Sequence, residues 1–174
     1  RFAYIPIAET QPNRLYLNNQ GEWFNEPGGV LPVDLASSRG AATADLDQDG
    51  DLDVVVNNYH DKAVFMENTI DNDNNWIKIK LTGSVNHRIT KDAIGCNIIL
   101  TLHSSEKKIW REIKSTTGYL SVHPKLQHFG LGDEEVVDLK VIWTNGEAQE
   151  YKNLKVNNTY LIDFNKGIQT HSIH

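Results

Sequence analysis

The sequence predicts an all-β protein, a hairpin segment carrying an acidic loop followed by an antiparallel β-sandwich. Three observations carry this prediction. Apolar and polar residues alternate with period two, as in Ile77, Ile79 and Leu81 against Lys78 and Lys80, or in Val137, Leu139, Val141 and Trp143. Turn residues punctuate these runs at short intervals, Asn145-Gly146 most plainly. Finally, Asp45-Leu46-Asp47-Gln48-Asp49-Gly50-Asp51-Leu52-Asp53 sets five carboxylates over nine positions and runs straight into the β-branched Val54-Val55-Val56.

Residues 1–12 show no strong periodicity. Asn13 to Asn19 reads as a short strand, with Gln20-Gly21 as its turn and Glu22 to Asn25 as its return. Pro27-Gly28-Gly29 and Pro32 then break the pattern into a loop. Gly40 to Ala44 leads into the acidic loop as a small-residue strand, Asp53 to Asn57 leaves it, and Ala63 to Asn68 follows after a turn at Asn58 to Asp61. Asp71-Asn72-Asp73-Asn74-Asn75 is read as a polar turn between domains, because Trp76 stands where a second metal loop would need glycine.

From Trp76 onward seven or so short strands recur with little sign of helix. Ile98, Leu100 and Leu102 share one face, Ile109, Arg111 and Ile113 another, and Tyr160, Ile162 and Phe164 form the last strand. Asn145-Gly146 is expected to make a type I′ hairpin turn. The predicted division is residues 1–75 for the loop-bearing segment, 76–166 for the sandwich and 167–174 for a flexible tail.

Charge supports that division. Residues 1–75 hold 4 Lys/Arg against 13 Asp/Glu, and residues 76–174 hold 13 against 10. Lysines of the basic half stand singly between acids, which argues against nucleic acid as a partner. No apolar run approaches the roughly 18 residues of a membrane-spanning helix. The first residues lack an initiator Met and the layout of a signal peptide, so the start reads as a cut or mature end. Cys96 is the single cysteine, expected as a small strand residue with no disulfide partner.

Five like charges within nine residues repel one another unless a cation joins them, and calcium tolerates such crowding with six to eight oxygen ligands. Asp45, Asp47, Asp49 and Asp53 are the expected side-chain ligands, and Asp51 the expected backbone-carbonyl ligand. Gly50 would permit the tight positive-φ turn around the ion. An EF-hand is excluded, since it needs flanking helices and a bidentate Glu at position 12, where Val56 stands within a strand.

Asp45-x-Asp47-x-Asp49-Gly50-x-Leu52-Asp53, with Leu15-Tyr16-Leu17-Asn18-Asn19 upstream, resembles the FG-GAP/VCBS repeat over about residues 13–68. That resemblance implies one blade of a calcium-binding β-propeller, as in integrin α-subunit heads. Propellers close with about four to eight blades, so a lone blade implies a longer chain or support from the second domain. Lys91-Asp92-Ala93-Ile94-Gly95, Thr117-Gly118-Tyr119-Leu120-Ser121, His128-Phe129-Gly130-Leu131-Gly132 and Val141-Ile142-Trp143-Thr144-Asn145-Gly146 together resemble an ASPIC/UnbV domain. Animal cartilage acidic proteins and many bacterial secreted proteins share this order of domains. Asn145 departs from the family's usual Ser-Gly, which touches only the turn.

Catalytic patterns are absent: no Gly-x-Ser-x-Gly, His-Glu-x-x-His, phosphate-cradling Gly-Lys-Ser/Thr or dinucleotide Gly-x-Gly-x-x-Gly. His123 and His128 read as turn and strand residues, His171 and His174 as part of the tail, and Asp92, Glu112 and Asp138 as surface carboxylates. Asn157-Asn158-Thr159 is a glycosylation triplet, meaningful only in a secretory eukaryote. The expected function is therefore a non-enzymatic, calcium-stabilised module, extracellular or periplasmic, that binds a protein partner within a larger assembly. Two alternatives stand beside it. One is a carbohydrate-binding module, with Trp110 and Tyr119 stacking on a glycan while Trp143 and Trp76 pack in the core. The other is an accessory subunit of an enzyme complex.

Overall fold

The computed structural model describes residues 10–19, 22–27, 31, 35–70 and 73–171. The expected turn at Gln20-Gly21, most of the Pro27–Pro32 loop, Asp71-Asn72 and residues 172–174 lie outside that set. All the strands are short. β1 (Gln11–Pro12) pairs with β4 (Leu35–Ala36), and β2 (Leu17–Asn19) with β3 (Trp23–Asn25), both antiparallel. β5 (Ser38–Ala44), β6 (Asp53–Asn58) and β7 (Val64–Met66) form a three-stranded antiparallel meander, with the acidic loop joining the first two. Among the described residues no sheet closes on itself.

Eight further strands make two four-stranded sheets. They are β8 (Asn75–Thr82), β9 (Asn97–Leu102), β10 (Lys108–Glu112), β11 (Gln127–Gly132), β12 (Val136–Ile142), β13 (Ala148–Lys155), β14 (Asn158–Asp163) and β15 (Gly167–His171). One sheet runs β10-β9-β12-β13 and the other β11-β8-β14-β15. The all-β class predicted from alternation holds. A difference lies in one pairing: β14 runs parallel to β8, Tyr160 opposite Ile79, while every other pair is antiparallel.

Period-two alternation feeds the core between these sheets. Ile77, Ile79, Phe129 and Ile162 on one sheet meet Ile98, Leu100, Val137, Leu139 and Val141 on the other, all at most 1% exposed. Each such side chain contributes about 1.5–3 kcal/mol by leaving water. Cys96 is buried in the same core with a free thiol, and burial pushes its pKa up. Trp143 meets Phe164 edge-on, ring centroids 5.2 Å apart.

Two expectations need correction. Residues 167–171 are an edge strand rather than a flexible tail, because Gly167 at φ 77° turns the chain back onto β14. Asn145 does not take the positive φ of a type I′ turn; only Gly146 does, at 92°. The Trp143 N–H bonds Glu147 O at 2.9 Å across a wider loop, and the Asn145 side chain accepts the Glu147 N–H at 3.0 Å.

Asp138, expected as a surface carboxylate, secures a bulge. Its oxygens accept the Asn153 N–H at 3.0 Å, where Asn153 holds φ 56°, and also bond His103 Nε2 at 3.1 Å and Lys152 Nζ at 3.0 Å. The Asn153 amide first, then His103 and Lys152, hold its pKa down at about 2. A depressed carboxylate adds stability in full above its unfolded value of about 3.9, and that stability disappears as pH falls through about 2. Asp138→Asn is thus expected to lower the urea midpoint at pH 7 and to leave it unchanged near pH 2. A loss of equal size at both values would contradict the account.

Candidate metal centre

The acidic loop folds on its own carboxylates. Asp47 Oδ1 accepts the Asp49 N–H at 3.3 Å, Asp49 Oδ1 the Asp51 N–H at 3.0 Å, and Asp45 Oδ2 the Gly50 N–H at 3.0 Å. Positive φ at Gln48 (68°) and Gly50 (106°) lets the chain turn this tightly. Oxygens of Asp45, Asp47 and Asp49 come within 4.8 Å of one another.

Asp53 and Asp51 sit differently. The Asp53 side chain is 1% exposed and closes the loop, its Oδ2 accepting the Leu46 N–H at 2.9 Å and its Oδ1 the Asn68 N–H at 3.0 Å. Its carboxylate lies outside the three-residue cluster. Asp51 has a buried Oδ1 with no hydrogen-bond partner, and so does Asp45. Desolvation above all, then Asp49, Asp53, Asp47 and Asp45, pushes the Asp51 pKa up to about 6.

These features fit a hard cation. Carboxylate oxygens converge, and two buried oxygens lack the donors that buried acceptors ordinarily find. Asp45, Asp47 and Asp49 would hold the ion, with Asp51 beside them. Bound there, calcium would supply the positive charge that relieves the carboxylates' repulsion.

One side of the loop is seated on the outer face of β8 and β11, while Leu46 to Asp49 stay exposed. Lys78, whose side chain is 3% exposed, forms an ion pair with Asp45 Oδ2. Its ammonium also lies 4.3 Å from the centroid of the Trp76 ring. Gly50 packs so closely on that indole that a Cβ there would stand 1.9 Å from Trp76 Nε1. His128 Nε2 donates to Gly50 O at 2.7 Å and its ring stacks near Trp76. Burial holds the His128 pKa down, against the opposing pull of the Gly50 carbonyl.

A second seam runs alongside. The Thr43 N–H donates to His123 Nδ1 at 3.0 Å and the Ala41 N–H to Ser121 Oγ at 3.0 Å. Gly40 approaches so closely that a Cβ would lie 2.5 Å from Leu120 O. The phrase Thr117–Ser121 is thus a docking turn for β5.

The acids are legible in the sequence; the groups that hold them are not. Lys78 and His128 alternate outward on strands whose other face is core, a placement that normally means solvent. Nothing in the local pattern announces that another segment covers that face. Trp76, expected in the core, packs against Gly50 instead. Asn157 Nδ2 donates to Asn75 Oδ1 at 2.7 Å, so the amide of the glycosylation triplet is already engaged.

Two family models match the chain. The FG-GAP-like repeat family model matches residues 4–56, and the ASPIC and UnbV family model matches residues 86–169. Human cartilage acidic protein 1 is 30% identical over 156 residues, covering 84% of this chain and 22% of the relative. Its mouse counterpart is also 30% identical over 156 residues, covering 84% and 23%. The chain therefore spans less than a quarter of the length of these relatives.

Proposed function

We propose that this chain, an FG-GAP-like repeat joined to an ASPIC and UnbV domain, works as a calcium-stabilised, non-enzymatic interaction module of a larger extracellular or periplasmic protein. The observation that carries the reading is the position of the acidic loop, clamped between its own hairpin and the sandwich by Lys78, Trp76 and His128. An ion there would stabilise the junction of two units, divided near residue 75, rather than a substrate. His103, His123 and His128 are each engaged in bonds that hold the fold, which supports a structural role for them. The matched families are not enzymatic families.

A protein partner is supported by the loop-bearing segment. Tyr16, Leu17, Trp23, Phe24 and Phe65 are each at least half exposed there. A three-stranded meander cannot close a propeller ring alone, so these apolar side chains suit further blades of a longer chain or a partner protein.

Thermal melting tests the calcium role. Calcium at a hundredfold excess over Kd stabilises by about 2.7 kcal/mol, and a chain of this size shifts about 2–4 °C per kcal/mol. A chelator is expected to lower Tm by about 5–10 °C, and Asp47→Ala to abolish that response. Superimposable curves with and without chelator would sink the reading.

A further inference from the structure

A cavity of about 330 Å³ opens beside the junction, between Thr43 on β5 and the edge strand β10. Its size is at the lower end of small-ligand sites, which combine an apolar platform with a few placed polar groups. Both are present. Trp110 borders it with 58% of its surface exposed. Arg111 crosses the Phe129 ring at 4.8 Å, and that stacking fixes the guanidinium without neutralising it. Among the described residues it has no carboxylate partner, although burial disfavours its charge.

The remaining lining is equally unspent. Lys114 and Glu112 have no side-chain partner among the described residues, and both border the cavity. His123 Nδ1 accepts the Thr43 N–H, so the neutral ring carries its proton on Nε2 as a donor. Two cations stand against one carboxylate here, beside an open indole.

We propose that this cleft binds an anionic saccharide, its ring stacked on Trp110 and its carboxylate or sulfate held by Arg111 and Lys114. The C–H face of a pyranose is apolar and matches an indole face, while its hydroxyls suit Glu112 and His123. A planar guanidinium pairs with a carboxylate or sulfate through two parallel hydrogen bonds, most strongly where water is partly excluded. This assignment uses the same junction as the calcium reading, but none of its contacts is a loop carboxylate.

Calorimetric titration of the full chain in saturating calcium tests it, with glucuronate, glucose 6-sulfate and glucose as probes. At least one anionic sugar is expected to bind tenfold or more tighter than glucose, and the two anions show whether carboxylate or sulfate is preferred. Trp110→Ala should weaken that binding at least tenfold, and Arg111→Gln should remove the preference over glucose. Lys114→Gln serves if the arginine variant fails to fold. Absence of saturable binding, equal binding of glucose, or indifference to Trp110→Ala would each overturn the proposal. A chelator melt on the same sample keeps the two readings apart: a retained chelator response without sugar binding defeats the cleft alone.

Discussion

Lys78→Met is expected to cost about 3–5 kcal/mol, the usual penalty for removing one partner of a buried ion pair. Methionine keeps the length and most of the packing of the lysine stem, so the lost quantity is the charge. Lys78 and Asp45 have side chains 3% and 4% exposed, and four more carboxylates follow Asp45 within eight residues. Without the ammonium those charges face one another in a partly dry junction. The loss should be larger in chelator than in millimolar calcium, since the ion supplies positive charge at the same place. Urea denaturation of both proteins in both buffers measures it. A difference below about 1 kcal/mol in chelator would mean that the pair contributes little.

Gly50→Ala should be nearly as severe, for a steric reason. Gly50 sits at φ 106°, and its Cβ would lie 1.9 Å from Trp76 Nε1 and 2.5 Å from Cδ1. A left-handed conformation costs an alanine about 1–2 kcal/mol, and overpacking adds about 1–3 kcal/mol. The expected loss is about 2–5 kcal/mol, together with a changed near-UV circular dichroism band as Trp76 moves. Gly130→Ala is the control, because an added Cβ there meets nothing within 4 Å. It should change stability by less than about 1 kcal/mol, and equal losses at the two positions would contradict the packing argument.

Elements governed by local pattern were legible in the sequence. Val137, Leu139 and Val141 alternate with polar residues and are buried on β12, and the strands on both sides of the acidic loop pair as their β-branched and small residues suggest. What could not be read depends on partners distant in the chain. Alternation names the inward face of β14 but not its neighbour, so the parallel pairing with β8 stayed hidden. Gly167-Ile168-Gln169-Thr170 is too polar and too near the end to read as a strand, yet β14 supplies its hydrogen bonds.

The acidic loop shows the same division. Carboxylate spacing and Gly50 announce a tight acidic loop, because both act within nine residues. Register groups Asp53 with the ligands, whereas its oxygens hold the backbones of Leu46, at the start of the loop, and Asn68, just past β7. Lys78 lies 33 residues from Asp45, and its burial follows from a docking that no local pattern encodes.

Calcium titration into the chelator-stripped chain, followed by calorimetry, tests the central claim most directly. The account predicts one saturable site with Kd in the range of about 10⁻⁴ to 10⁻³ M, as for extracellular calcium modules, and its loss in Asp47→Ala. No saturable heat up to about ten times the upper end of that range, or equal binding by the Asp47→Ala variant, would contradict it.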